Sequence, residues 1–164
     1  MKTNSKALGG IFERKIAKEL SCWIYDDQHV LKREPTSGAT KDNYIGDIYP
    51  AKQLLIGQPS WVFLVECKSG YSQFTPTLIN YSIIEKWYLK ALLETRQNEL
   101  QKNILLICNF KAKKGILVCS SLELNIPCKC VLCIKNNGSF EWVFCYEYKD
   151  MLEHSFEEVF GGKI

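Results

Sequence analysis

Two carboxylates and an ammonium group lie within a short span of the first half of the chain. Asp47 follows Ile45-Gly46, and Glu66 and Lys68 sit at the end of the apolar run Trp61-Val62-Phe63-Leu64-Val65. That run is β-branched and aromatic, is bounded by Pro59 and Gly70, and reads as a buried central strand. Side chains two apart on a strand share a face, so Glu66 and Lys68 project together. A carboxylate and an ammonium at the end of a core strand are costly unless paired or put to use. The chemistry that suits them is metal-assisted hydrolysis of a phosphodiester. Mg2+ is a hard ion, held by one or two carboxylates together with the oxygens of a bound phosphate, and Mn2+ accepts the same ligands. Asp47 and Glu66 supply the carboxylates, and the backbone carbonyl of Cys67 lies between them as a further ligand. Such an ion lowers the pKa of a bound water and neutralises charge developing on the phosphate. Lys68 then stands where it can accept a proton or face the developing anion. The competing reading is a structural ion-pair cluster that does no chemistry.

The elements that must hold these groups can be read from periodicity. Residues 8 to 22 form an amphipathic helix, with Leu8, Ile11, Phe12, Ile16 and Leu20 on one stripe. Glu13 sits near that stripe, where on its own it reads as a surface partner of Arg14 or Lys6. A short strand is expected within 23 to 32, with Val30 and Leu31 inward. Lys32 to Asn43 reads as a loop. Its Arg33 has the planar fork that matches phosphate oxygens. Its Ser37-Gly38 offers a hydroxyl and backbone N–H groups to a phosphate, or is an ordinary turn; the sequence does not choose between these. Ile45 to Tyr49, continued by Gln53 to Ile56, is expected to pair with Trp61 to Lys68 as a hairpin. Ser69 to Pro76 is expected to be a loop, with Tyr71 and Phe74 covering the core edge.

Asn80 to Asn98 reads as a long helix whose broad apolar face suits a crossover packed on a sheet. Ile104 to Phe110 follows as a buried strand. Further strands are expected at Ile116 to Cys119, Cys128 to Lys135 and Phe140 to Tyr146, with Asn136-Asn137-Gly138-Ser139 as a hairpin turn. Asp150 to Phe160 is expected to be one terminal helix.

At 164 residues and a net charge of +3, the chain fits one domain, 1–164, with a proper core, and is only mildly basic. That charge permits nucleic-acid binding without requiring it. No apolar stretch reaches membrane-spanning length, and the residues from Met1 to Lys6 lack the apolar core of a secretory signal, so the expected location is cytoplasmic with no membrane partner. Of the eight cysteines, Cys67, Cys108, Cys119, Cys130 and Cys145 lie in or beside apolar runs and read as small core residues, and a disulfide framework is not expected. Cys128-x-Cys130-x-x-Cys133 is not a standard zinc spacing and reads as a strand that carries cysteines. His29 and His154 have no partner at metal-ligand spacing, and there is no phosphate-binding loop, dinucleotide fingerprint or Ser-His-Asp pattern.

Asp47 followed by Glu66-x-Lys68 at a strand end resembles the PD-(D/E)xK nuclease superfamily. Upstream, the stretch from Gly9-Gly10-Ile11-Phe12-Glu13-Arg14 to Leu20 resembles the first helix of the archaeal-type Holliday junction resolvases. Arg33-Glu34-Pro35-Thr36-Ser37-Gly38-Ala39 resembles their next segment. The resemblance covers about residues 6 to 70, in the family's order. It departs in three places: no proline precedes Asp47, Ala39 replaces a second serine, and the Asp47-to-Glu66 connection is longer.

The resemblance implies an α/β fold with a restriction-endonuclease-like core, a mixed central β-sheet flanked by helices. It implies a Mg2+-dependent DNA endonuclease, with Mn2+ as a substitute, acting on branched DNA such as a four-way junction. A C2 homodimer would supply two symmetric cuts. By the same resemblance Glu13 helps organise the metal site with Asp47, Glu66 and Lys68. Lys6 and Arg14 become phosphate contacts, and Lys86 is the polar residue of the long helix that points at the site. A restriction-like or repair nuclease, and a non-catalytic DNA-binding module on the same fold, are the alternatives.

Overall fold

The computed structural model describes residues 5–34, 46–71, 81–97, 102–110 and 115–161. Helix α1 (Ser5–Tyr25) leads into β1 (Leu31–Arg33) and β2 (Ile48–Pro50), followed by β3 (Phe63–Tyr71), α2 (Tyr81–Gln97) and β4 (Asn103–Phe110). The chain continues through β5 (Ile116–Ser120), β6 (Cys130–Asn136), β7 (Ser139–Glu147), α3 (Tyr148–Leu152) and α4 (Phe156–Phe160). The strands form one seven-stranded sheet in the order β1-β2-β3-β4-β5-β7-β6. Only β3 and β4 run parallel, joined by the crossover helix α2; every other neighbouring pair is antiparallel. This is the mixed, helix-flanked sheet of an α/β restriction-endonuclease-like core.

Alternation along the central strands separates two cores. Phe63, Val65 and Cys67 of β3, with Leu105 and Ile107 of β4, face α1, α3 and α4. Leu64 of β3, with Leu106 and Cys108 of β4, faces α2 through Ile84, Trp87, Tyr88 and Ala91. Both faces of β3 and β4 are therefore covered, which is why their sequences read as continuous apolar runs. Glu66 and Lys68 continue the Leu64 side of β3, the side facing α2.

Several boundaries differ from the periodicity reading. Helix α1 runs to Tyr25, and Trp23 is helical, its indole N–H donating to the His154 carbonyl at 2.7 Å. The strand expected in 23 to 32 is reduced to β1, which starts at Leu31. Gln53 to Ile56 forms no strand; Leu55 and Ile56 are exposed, so nothing there favours pairing over solvent. β3 runs on through Ser69 and Gly70 to Tyr71. The hairpin turn holds: Asn136 pairs with Ser139, and Asn137 and Gly138 both have positive φ, 46° and 89°.

The single terminal helix is two helices. Ser155 adopts extended backbone and starts α4 with a capping box, in which its hydroxyl accepts from Glu158 N–H while Glu158 accepts from Ser155 N–H. A cap competes with helix continuation because its residue must leave helical φ/ψ. Ser155→Ala should therefore lower stability by about 1 kcal/mol, read by urea denaturation. The phenyl rings behind the cap, Phe156 and Phe160, pack on Trp23 and Phe63 and tie α4 to α1 and β3.

Candidate active site

The site lies where β2 meets the middle of β3. Asp47, one residue before β2, donates its backbone N–H to the Val65 carbonyl at 2.7 Å. Its side-chain Oδ2 accepts the Cys67 N–H at 2.8 Å. The carboxylate thus takes a place in the ladder that a backbone carbonyl would otherwise fill, and β3 fixes the direction of the acid. The Asp47 carbonyl in turn accepts from Glu34 N–H at 2.9 Å.

Gly46 makes this approach possible. Its φ is +93°, and a Cβ there would lie 2.8 Å from the Val65 carbonyl oxygen and 3.2 Å from the Val65 nitrogen. Glycine therefore stands before Asp47 for a backbone reason. Gly46→Ala should cost about 2–3 kcal/mol. For a chain of this size that lowers the melting temperature by roughly 5–10 °C. It should also weaken any metal binding that depends on Asp47, which calorimetric titration would show.

Glu66 and Lys68 share a face of β3 as expected, and their side chains are hydrogen-bonded. Glu66 is 5% exposed and Asp47 6%, so both acids are buried. Burial, and secondarily the neighbouring Glu66 charge, raises the Asp47 carboxyl to about 7; the Cys67 N–H and Lys68 oppose that shift, and Glu13 adds to it. Two buried acids side by side concentrate negative potential, which favours a cation.

Glu13 is carried to this region by α1, which packs Phe12, Ile16, Ala17 and Leu20 onto the sheet. Among the described residues its partner is not Arg14 but Arg33 of β1, paired through Nε. Gly10 leaves room for that guanidinium, since a Cβ there would come within 3.2 Å of Arg33 Cζ. Arg33 is thus already engaged by a carboxylate. Arg14 is exposed on α1. Lys6 lies in α1, but its side chain is outside the described residues, as is Ser37. On α2, Lys86 is exposed, and the lysine one turn later is the one that approaches: Lys90 Nζ is 4.0 Å from Glu66 Oε1 and 3.3 Å from Glu94. Lys86 and Lys90 each precede a buried residue of α2, Trp87 and Ala91, so periodicity does not separate them and only the packing does.

Cys128, Cys130 and Cys133 do not converge. Cys130 and Cys133 are three apart on β6 and so face opposite sides of the sheet. Among the described residues no group of three or more His, Cys, Asp or Glu side chains is arranged to hold a metal ion. The Asp47–Glu66 pair fits a different kind of ligand. Asp47 Oδ2 and Glu66 Oε1 are engaged by the protein, and neither Asp47 Oδ1 nor Glu66 Oε2 has a hydrogen-bond donor among the described residues. Two carboxylates with an oxygen each to offer suit Mg2+, which keeps waters and phosphate oxygens as its remaining ligands. They suit a thiolate- or imidazole-seeking metal poorly.

A mixed sheet whose central strand carries a paired Glu and Lys beside a buried Asp is the architecture of a PD-(D/E)xK nuclease. Residues 4–126 match the family described as "Phage putative PDDEXK endonuclease", and the chain belongs to that family. No curated protein and no solved structure matches the chain. No helix among the described residues is long and apolar enough to cross a membrane.

Proposed function

We propose that this nuclease is a Mg2+-dependent DNA endonuclease in which Asp47 and Glu66 hold the ion, with the Cys67 carbonyl as a further ligand and Mn2+ as a substitute. The observation that carries the reading is the pair of buried acids, one of them raised to about 7, beside a lysine that is hydrogen-bonded to Glu66. When bound, the ion supplies positive charge to the scissile phosphate and acidity to a water. The chain's own residues do the rest. The Cys67 N–H and the Val65 carbonyl hold Asp47 in one orientation. Lys68, fixed by Glu66, presents an ammonium where the attacking water and the charge on phosphate meet. Glu13 supports the site, and its ion pair keeps Arg33 at the site's margin, from which the guanidinium can meet a phosphate oxygen. Lys6, Arg14, Ser37 and Lys86 are further proposed backbone contacts, which position DNA without reading its sequence.

The substrate we propose is a four-way junction cut symmetrically by a homodimer. Support comes from the resemblance of residues 6 to 70 to the junction resolvases. The outer face of the β6–β7 hairpin adds to it, because Val131, Phe140 and Trp142 are exposed there and offer an apolar surface to a second copy. The test is cleavage of a synthetic four-way junction beside a matched linear duplex, with Mg2+ or with EDTA. Paired symmetric nicks in the junction alone are expected. Equal cutting of both substrates would keep the nuclease and remove junction specificity. A folded protein that cuts neither with Mg2+ nor Mn2+ would leave a DNA-binding module. Sedimentation of the wild type against Trp142→Arg checks the dimer, and the variant is expected to sediment as a monomer.

A further inference from the structure

Away from the acidic site, Cys119, Cys128, Cys130 and Cys145 lie on β5, the segment before β6, β6 and β7. Three of them form a straight row. Cys119 of β5 is paired in register with Cys145 of β7, and Cys145 is paired with Cys130 of β6. Residues directly opposed on neighbouring strands share a face, so all three thiols point to the side covered by α2. Cys119 and Cys145 are fully buried and their Sγ atoms are 3.4 Å apart. Cys130, at the sheet edge, is only partly covered and is the solvent-facing end of the row.

We propose that this row is an oxidation site that ends as a cross-strand disulfide between Cys119 and Cys145, with Cys130 as the thiol that first meets the oxidant. Directly opposed antiparallel residues have Cα atoms about 4.5–5.5 Å apart, inside the range a disulfide spans. The sulfurs need only close from 3.4 Å to about 2 Å, which side-chain rotation supplies without parting the strands. The oxidant is a hydroperoxide. It transfers one oxygen to the Cys130 sulfur, giving a sulfenic acid and releasing an alcohol, or water from hydrogen peroxide. The Cys145 sulfur displaces that hydroxyl as water and forms the Cys130–Cys145 disulfide. The Cys119 sulfur then attacks the Cys145 sulfur, and Cys130 leaves and takes up the proton that Cys119 gives up. The net change is two thiols and one hydroperoxide converted to one disulfide, one alcohol and one water. Burial, more than the nearby Cys145, pushes the Cys130 thiol up to about 12. Thiolate is therefore scarce and the reaction belongs to prolonged oxidation, over minutes to hours, rather than rapid sensing.

The test exposes the folded, full-length protein to hydrogen peroxide, quenches with catalase, unfolds it and alkylates the remaining thiols. The expected product has lost two hydrogens, carries six alkylated cysteines of the eight, and yields a linked Cys119–Cys145 peptide that a reductant separates. Cys130→Ser is expected to form the same link at least about tenfold more slowly. Eight alkylated cysteines after exposure, or a bond that maps elsewhere, such as between Cys133 residues of two molecules, overturns the proposal. A Cys130→Ser protein that oxidises at the wild-type rate overturns the role of Cys130. The mapping uses wild-type protein, so it stands even if a variant folds poorly.

Discussion

Asp47→Asn is expected to abolish metal-dependent cleavage and, at the same time, to make the metal-free protein more stable at pH 8. The loss of activity follows from removing one of the two carboxylates of the site, and should be on the order of 10³-fold or more. The gain in stability follows from the raised pKa. Asp47 titrates near 7 in the folded chain and near 4 when unfolded. Below pH 4 it is protonated in both states and carries no penalty. As pH rises from 4 through 7 the unfolded chain loses that proton while the folded chain holds it, so folding stability falls. Above 7 the penalty is complete, on the order of 2–4 kcal/mol. Asparagine keeps an oxygen for the Cys67 N–H and removes the charge, and Lys68 retains its partner Glu66. The melting temperature of wild type should therefore fall between pH 4 and pH 7 relative to Asp47→Asn. Mg2+ should raise the wild-type value and leave the variant unchanged, since only a ligand bound by the folded state stabilises it. A variant that melts below wild type at pH 8 would show Asp47 to be a structural counter-charge, and the catalytic reading of the site would fail.

Lys68→Met should act in the opposite direction on stability. It strands Glu66, a buried acid with Asp47 alongside, and breaking such a pair typically costs about 3–5 kcal/mol. Lys90, 4.0 Å from Glu66, moderates the loss and places it toward the lower end of that range. Cleavage should fall by roughly 10²- to 10³-fold, the effect of removing one fixed charge from the place where transition-state charge develops. Adding Glu66→Leu to Lys68→Met restores an apolar contact in place of the stranded acid, so the double variant should regain stability and remain inactive. Urea denaturation with single-turnover cleavage separates the two effects. A folded Lys68→Met protein that cuts at the wild-type rate would remove Lys68 from the chemistry.

These two variants separate properties that the sequence alone joins. Read as letters, Asp47, Glu66 and Lys68 form one charged cluster, and the loss of any member would be expected to destabilise the fold. The structure divides them. Glu66 and Lys68 neutralise each other, whereas Asp47 is held by a backbone N–H and disfavoured by burial. An acid whose charge is disfavoured by its surroundings gains most from a cation beside it.

The long periodic elements were legible because their physics is local. The apolar run of β3, the amphipathic faces of α1 and α2, and the Asn-Gly turn of β6–β7 each depend on residues close in sequence. The shared face of Glu66 and Lys68 was legible for the same reason, since a strand's side chains alternate with period two. The elements that went wrong are those decided by competition. Asp150 to Phe160 has helical periodicity throughout, but the Ser155 cap outweighs continuation and gives two short helices. Gln53 to Ile56 has strand-like residues but finds no neighbouring strand to pair with.

What the sequence determined by itself was the chemistry available: two acids and a lysine at spacings that suit a hard metal and a phosphate, on an α/β framework. The company each group keeps was set by packing. Glu13 meets Arg33, twenty residues away, because α1 crosses β1; Lys90 rather than Lys86 reaches Glu66 because α2 is turned by its packing on β4; and three cysteines align because β5, β7 and β6 fall into register. Ion pairs and thiol contacts act over a few ångströms, and distances that short between remote residues are set by packing, which periodicity does not specify.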